Sequence, residues 1–201
     1  MELSHVTFSG PPSDDPTLWA KLPKELVGLL RSINGFIQYG GGLHVRGVCT
    51  TPEWHSLRAA WLGEMAFHRL YGSVAADDIP FAEDCVGDQF LLRGGQVLRL
   101  AAETGDVEPF APGLASFLEA AGASPVKYLS LEPLLQLHHE GGALEPGQLI
   151  HAYPPFCTKE AAQGVSLRVV PARELIGFHA ELAAQLPPDG GHIEFGWSSD
   201  G

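Results

Sequence analysis

The chain has 201 residues, of which 45% are hydrophobic and 18% charged, and Lys and Arg number 12 against 24 Asp and Glu, for a formal net charge of −12. That apolar fraction supplies a packed core and excludes a disordered chain. The acidity excludes the basic stripe that grips phosphates, so nucleic acid and anionic membranes are not expected partners, while basic proteins are. Acidity also keeps a protein soluble, which is the plainer reading of the same charge.

Cys49, Cys85 and Cys157 are an odd number, far apart and without a CxxC pair, which argues against a disulfide framework and fits a reducing compartment. The start, MELSHVTFSGPPSDD, lacks a basic stretch followed by an apolar one, and no apolar run approaches the ~20 residues of a membrane span. A cytoplasmic protein is expected.

Residues 1–16, with Pro11-Pro12 and Asp14-Asp15-Pro16, read as an extended arm. The first helix is PKELVGLLRSI: Leu26, Leu29, Leu30 and Ile33 share a face, and Asn34-Gly35 stops it. Gly40-Gly41-Gly42 reads as a flexible link, after which Leu43, Val45 and Val48 begin a short strand. Thr51-Pro52-Glu53 is a helix start, and one helix is expected from there to Tyr71, ending at Gly72. Ile79 to Ala82 is a short strand whose Pro80 suggests a sheet edge.

Gln89–Arg93 and Gln96–Ala101 read as a hairpin turning at Gly94-Gly95. That turn sets Leu92 against Val97, Leu91 against Leu98 and Phe90 against Arg99, so both faces carry apolar side chains. Another strand is expected at Val107–Phe110. Helices follow at GLASFLEAAG and at SLEPLLQLHHEGG, where Ser130 is the expected cap. Strands at 149–153 and 166–170, a helix over ARELIGFHAELAAQL and an end strand at 192–197 complete the pattern. An arm (1–16), a core (17–140) and an extension packed on it (141–201) are the expected divisions, with one structural domain overall.

No motif announces catalysis. His138-His139-Glu140 is the densest set of metal-ligating types, but adjacent helical side chains point about 100° apart and cannot easily share an ion. The other histidines show no spacing with Cys or an acid that would mark a site. There is no GxSxG, and Cys85 follows two acids, Glu83 and Asp84, which raise a thiol pKa. Gly40-Gly41-Gly42 precedes a strand, not the helix a phosphate loop needs. No metal or cofactor is expected.

Asp77, Asp78, Glu83, Asp84 and Asp88 form the notable cluster. They read as turn formers, as an acidic surface for a partner, or as an acid/base pair; the spacing matches no calcium loop. The enzyme alternative is a small hydrolase using these acids with a histidine.

The order of features resembles the SUKH superfamily, which includes fungal cell-wall-assembly regulators and bacterial immunity proteins. The resemblance covers roughly residues 17–125. It runs through Pro23, Leu26, Leu30, Asn34 and Gly35; then Phe81, Ala82, Asp84, Gly87 and Asp88; then Glu103 and Gly105; then Phe117 and Leu118. The Trp-bearing segment at 52–71 is bulkier than in short members of that superfamily. The resemblance implies an α+β fold, an antiparallel or mixed sheet of about 5–6 strands flanked by helices, with a C-terminal helical extension. It also implies a non-enzymatic immunity protein, a monomer or weak dimer, that binds and neutralises a basic cognate toxin such as a nuclease. A regulatory adaptor with another protein partner is compatible with the same features.

Overall fold

The computed structural model describes residues 4–186, and its core is one antiparallel meander. Its strands are β1 (Val6–Ser9), β2 (Phe36–Gln38), β3 (Leu43–Val45), β4 (Ile79–Asp84), β5 (Gln89–Arg93), β6 (Gln96–Ala101) and β7 (Asp106–Ala111), hydrogen-bonded in chain order. Helices α1 (Lys24–Ser32), α2 (Leu57–Leu62), α3 (Phe67–Leu70), α4 (Leu114–Ala123), α5 (Pro125–Tyr128), α6 (Glu132–His139) and α7 (Ala172–Gln185) surround it. A second hairpin joins β8 (Gln148–Tyr153) to β9 (Ser166–Pro171). The protein is therefore α+β, with a seven-stranded sheet where five or six strands were expected.

The β5–β6 hairpin explains why helices cover both faces. Its register pairs Leu92 with Val97, Leu91 with Leu98 and Phe90 with Arg99, as the glycine turn requires. Gly94 and Gly95 both have positive φ, +55° and +88°, the conformation of a tight two-residue hairpin turn. Phe90, Leu92 and Val97 pack with Leu26, Leu30, Phe117 and Leu118 of α1 and α4. Leu91, Leu98 and Leu100 point the other way, against Phe67, Tyr71 and Ala180. Alternating side chains of one hairpin thus feed two apolar layers.

Five expectations change. The arm contributes β1, pairing with β2 at one sheet edge. The supposed Gly link is the turn between β2 and β3. The single helix at 52–71 is instead a 3-10 turn at Glu53–His55 followed by α2 and α3. The Ser56 hydroxyl accepts the Ala59 N–H and starts α2, while Gly63 ends it. Pro80 lies on the central strand, not an edge. The sheet tolerates it because the β4–β5 register slips between Pro80 and Ala82, where a ladder donor is dispensable. At α6, Ser130 is left-handed (φ +53°) and Leu131 occupies the cap without a side-chain bond.

The C-terminal segment is woven into the core. Ile150 donates its N–H to the Cys85 carbonyl at 2.8 Å and its side chain joins the main cluster. Leu149, Ala172 and Leu175 form a third cluster between β8 and α7. The strand expected at 192–197 lies outside the described residues.

Candidate functional site: a buried polar chain between two cavities

Of the five acids singled out by sequence, only Asp77 is exposed. Asp78 is fully buried, accepts the Ala75 N–H at 2.7 Å and pairs with Arg93 at 2.6 Å. Asp84 Oδ1 accepts the N–H groups of Val86 and Asp88 at 3.0 Å each, shaping the β4–β5 turn. Asp88 accepts Arg99 at 2.5 Å and the Ala102 N–H at 2.8 Å. Burial, with the Asp88 charge adding to it, holds the Asp84 carboxyl well above the ordinary range. The expected acidic surface at 77–88 is therefore corrected: four of these carboxylates face inward, because in a strand and its tight turn they are the acceptors for backbone N–H groups and arginines.

Glu83 belongs to a different structure, one not visible in the spacing of the sequence. The β3–β4 ladder sets His44 directly across from Glu83. His44 Nδ1 lies 2.8 Å from Glu83 Oε1, and His44 Nε2 lies 2.9 Å from His55 Nδ1. His55 Nε2 in turn lies 3.0 Å from the Asn34 carbonyl oxygen. Arg46, two residues along from His44, donates to Glu83 Oε2 at 2.5 Å, to Gln89 Oε1 at 2.8 Å and to the Pro80 carbonyl at 2.9 Å. Gln89 Nε2 donates to Glu83 Oε2 at 3.2 Å and to the Gly87 carbonyl at 2.6 Å. All of these side chains except that of Asn34 are buried.

The environment sorts their charges. Burial raises the Glu83 carboxyl, but Arg46, His44 and Gln89 outweigh it and hold the pKa at about 2. Burial draws His55 down to about 4, with His44 and Arg46 adding to the effect. Burial also lowers His44, against the pull of the Glu83 carboxylate.

His55 sits in a cradle that only glycine backbone allows. A Cβ at Gly10 would stand 2.3 Å from His55 Nε2, at Gly35 2.6 Å from Cε1 and at Gly47 2.7 Å from Nε2. Phe8 meets the ring edge-on at 5.2 Å, and His44 stacks on it at 5.1 Å.

Glu83 lies between two hollows. One, of about 230 Å³, is lined by Thr7, Gly40, His44, Glu83, Glu145 and Gln148. The other, of about 270 Å³, has Trp54, Met65, Phe67 and Ile176 on its walls, Arg46 and Glu83 among its lining, and the exposed Glu53–Arg173 pair (2.9 Å) beside it.

This set is suited to holding shape and charge. Glu83 and Arg46 bond each other, and among the described residues no hydroxyl or thiol bonds to Glu83, His44 or His55. Burial pushes Cys49 and Cys157 up to about 11 and raises Cys85 well above its ordinary value, so none is an activated thiolate. The acid–imidazole pair that does form is Glu83–His44, while Asp84 and Asp88 bond backbone amides and Arg99. Among the described residues, no three His, Cys, Asp or Glu side chains converge as metal ligands.

Fold and site together define a class: an α+β protein with helices on both faces of its sheet and a buried ionic network beneath small cavities. A solved structure that this chain resembles is Atu4351 from Agrobacterium tumefaciens, with a TM-score of 0.52 at 13% identity, over 94% of this chain and 93% of that one. The likeness is one of fold. No protein-family model and no curated protein matches the chain. No described helix is long and apolar enough to cross a membrane.

Proposed function

We propose that this is a non-enzymatic, SUKH-like immunity protein that acts in the cytoplasm by binding a basic toxin stoichiometrically. The observation that carries the reading is the direction in which the arginines are used. Arg46, Arg58, Arg93 and Arg99 pair with Glu83, Asp15, Asp78 and Asp88, all of them buried acids. Positive charge is thereby drawn into internal pairs. Glu25, Glu64, Asp77, Asp106, Glu108, Glu119, Glu132 and Glu140 remain exposed, so among the described residues negative charge is left on the surface. Such a surface attracts a phosphate-gripping, basic partner and accelerates its encounter.

The test is co-expression with the product of the neighbouring reading frame. The expected result is relief of that product's toxicity and a one-to-one complex whose association rate falls as salt rises through physiological strength. A neighbour that is neither toxic nor bound removes the reading.

A further inference from the structure

The chain Glu83–His44–His55–Asn34 ends in an acceptor on both sides, and this fixes its proton count. The Glu83 carboxylate accepts at one end and the Asn34 carbonyl at the other. Between them stand four ring nitrogens making three contacts of 2.8, 2.9 and 3.0 Å. Each contact needs one proton on a ring nitrogen, because neither end supplies any. Two neutral imidazoles carry one proton each, one short of the requirement. In the neutral state one of the three contacts therefore sets lone pair against lone pair, and because the Glu83 carboxylate draws the His44 proton to Nδ1, that contact is His44–His55 or His55–Asn34.

We propose that His44 and His55 form a one-proton switch. Mild acid adds a single proton, His44 becomes the imidazolium, and the whole chain closes. In that state His44 donates from Nδ1 to Glu83 and from Nε2 to His55 Nδ1, and His55 donates from Nε2 to the Asn34 carbonyl. His55 stays singly protonated throughout. If the neutral form holds the proton on His55 Nδ1, that proton passes to His44 Nε2 while the incoming one appears on His55 Nε2, so one proton enters and none leaves.

The surroundings determine where the charge settles. His44 lines the 230 Å³ cavity whereas His55 is sealed in its glycine cradle, so the charge settles on the ring nearer water. From β4, Glu83 favours a charge on His44; Arg46, following β3, opposes it. Glu145 faces His44 across the cavity from the loop before β8. Glu53, in the 3-10 turn that carries His55, and Arg173 line the second hollow and pair with each other. Phe8, Trp54 and Ile37 complete the packing from β1, the 3-10 turn and β2, and carry no titrating group.

Closing the chain has a mechanical consequence. The Asn34 amide holds the Pro11 carbonyl at 2.7 Å and accepts the Val48 N–H at 2.8 Å, and Gly35 receives the Gly10 N–H at 2.9 Å. A completed bond to the Asn34 carbonyl therefore secures the segment after β1.

The test is a titration of the intact protein from neutral pH toward mild acid, following the ring nitrogens by ¹⁵N NMR and the Gly10 amide by hydrogen exchange. The expected result is one shared midpoint below the ordinary histidine value. On its acid side His44 is protonated at both nitrogens and His55 at Nε2 alone. Exchange at Gly10, corrected for its intrinsic pH dependence, slows by about fivefold, the equivalent of one ordinary hydrogen bond. Separate midpoints, a doubly protonated His55, or two rings that each keep one proton down to acid unfolding would overturn the switch. Unchanged exchange at Gly10 would overturn its coupling to the N-terminal strand.

Discussion

At Gly10 the tolerance for added atoms is close to nil. A methyl there would meet the Asn34 carbonyl oxygen at 1.9 Å as well as the His55 ring, and both are held from other directions. Gly10→Ala is expected to destabilise by about 1–3 kcal/mol or more, as overpacking of a closed site does, read from the shift of the urea midpoint. His179 poses the opposite problem. Its Nδ1 is buried without a partner, as is His151 Nε2, and Glu103 lies 4.0 Å from its other nitrogen. Burial, with His151 adding to it, draws the His179 pKa down to about 4. The unfolded chain takes up that proton near the ordinary value of about 6.5, so the folded state loses ground as pH falls from about 6.5 to 4. The loss is on the order of 3 kcal/mol at the acid end. His179→Leu is expected to leave stability at pH 7 nearly unchanged and to flatten its decline in acid. Thermal unfolding across that range checks it, and a decline as steep as that of the wild type would show that His179 is not its source.

Among the elements, those defined by local chemistry were legible. The glycine pair fixed the β5–β6 register, and 3.6-residue spacing located α1, α4 and α7. Elements made by pairing were not. β2 is three residues long, too short to display alternation, and β1 is a strand because β2 offers it an edge. The same gap hid the site: His44 and Glu83 meet only through the β3–β4 ladder, 39 residues apart in sequence. The available clue was polar residues inside apolar strands, with His44 and Arg46 alternating around Val45, and Gln89 opening β5. The acids at 77–88 were read from composition in a turn, and composition does not say which way a carboxylate points. The network itself is testable. Arg46→Met strips a 2.5 Å partner from a buried carboxylate and is expected to destabilise by about 3–5 kcal/mol. Adding Glu83→Gln to that variant removes the stranded charge, so the double variant is expected to fall well short of the sum of the two single losses. Additive losses in denaturant titrations would mean that the two side chains do not act as a pair.

For the molecule as a whole, the question is whether the meander stands without the segment after α6. The sequence divides a core at 17–140 from an extension at 141–201 packed on it. The contacts between them are specific. β8 bonds the β4–β5 turn through Ile150, which is 1% exposed. α7 lays Ala180 on Leu91, Leu98 and Leu100, whose remaining cover from that side comes from Phe67, Tyr71, Val74 and smaller neighbours. A chain ending at Glu140 would open that face and the third cluster to water. Each large side chain uncovered forfeits roughly 1.5–3 kcal/mol, against a total stability for a domain of only about 5–15 kcal/mol. About five such losses match it. Residues 1–140 are therefore expected to keep strand content by far-ultraviolet circular dichroism but to lose the near-ultraviolet signal and the cooperative melting transition. A sharp calorimetric transition in that fragment would mean that one covered face suffices, with the hairpin and α7 serving as an addition to a sheet already stable alone.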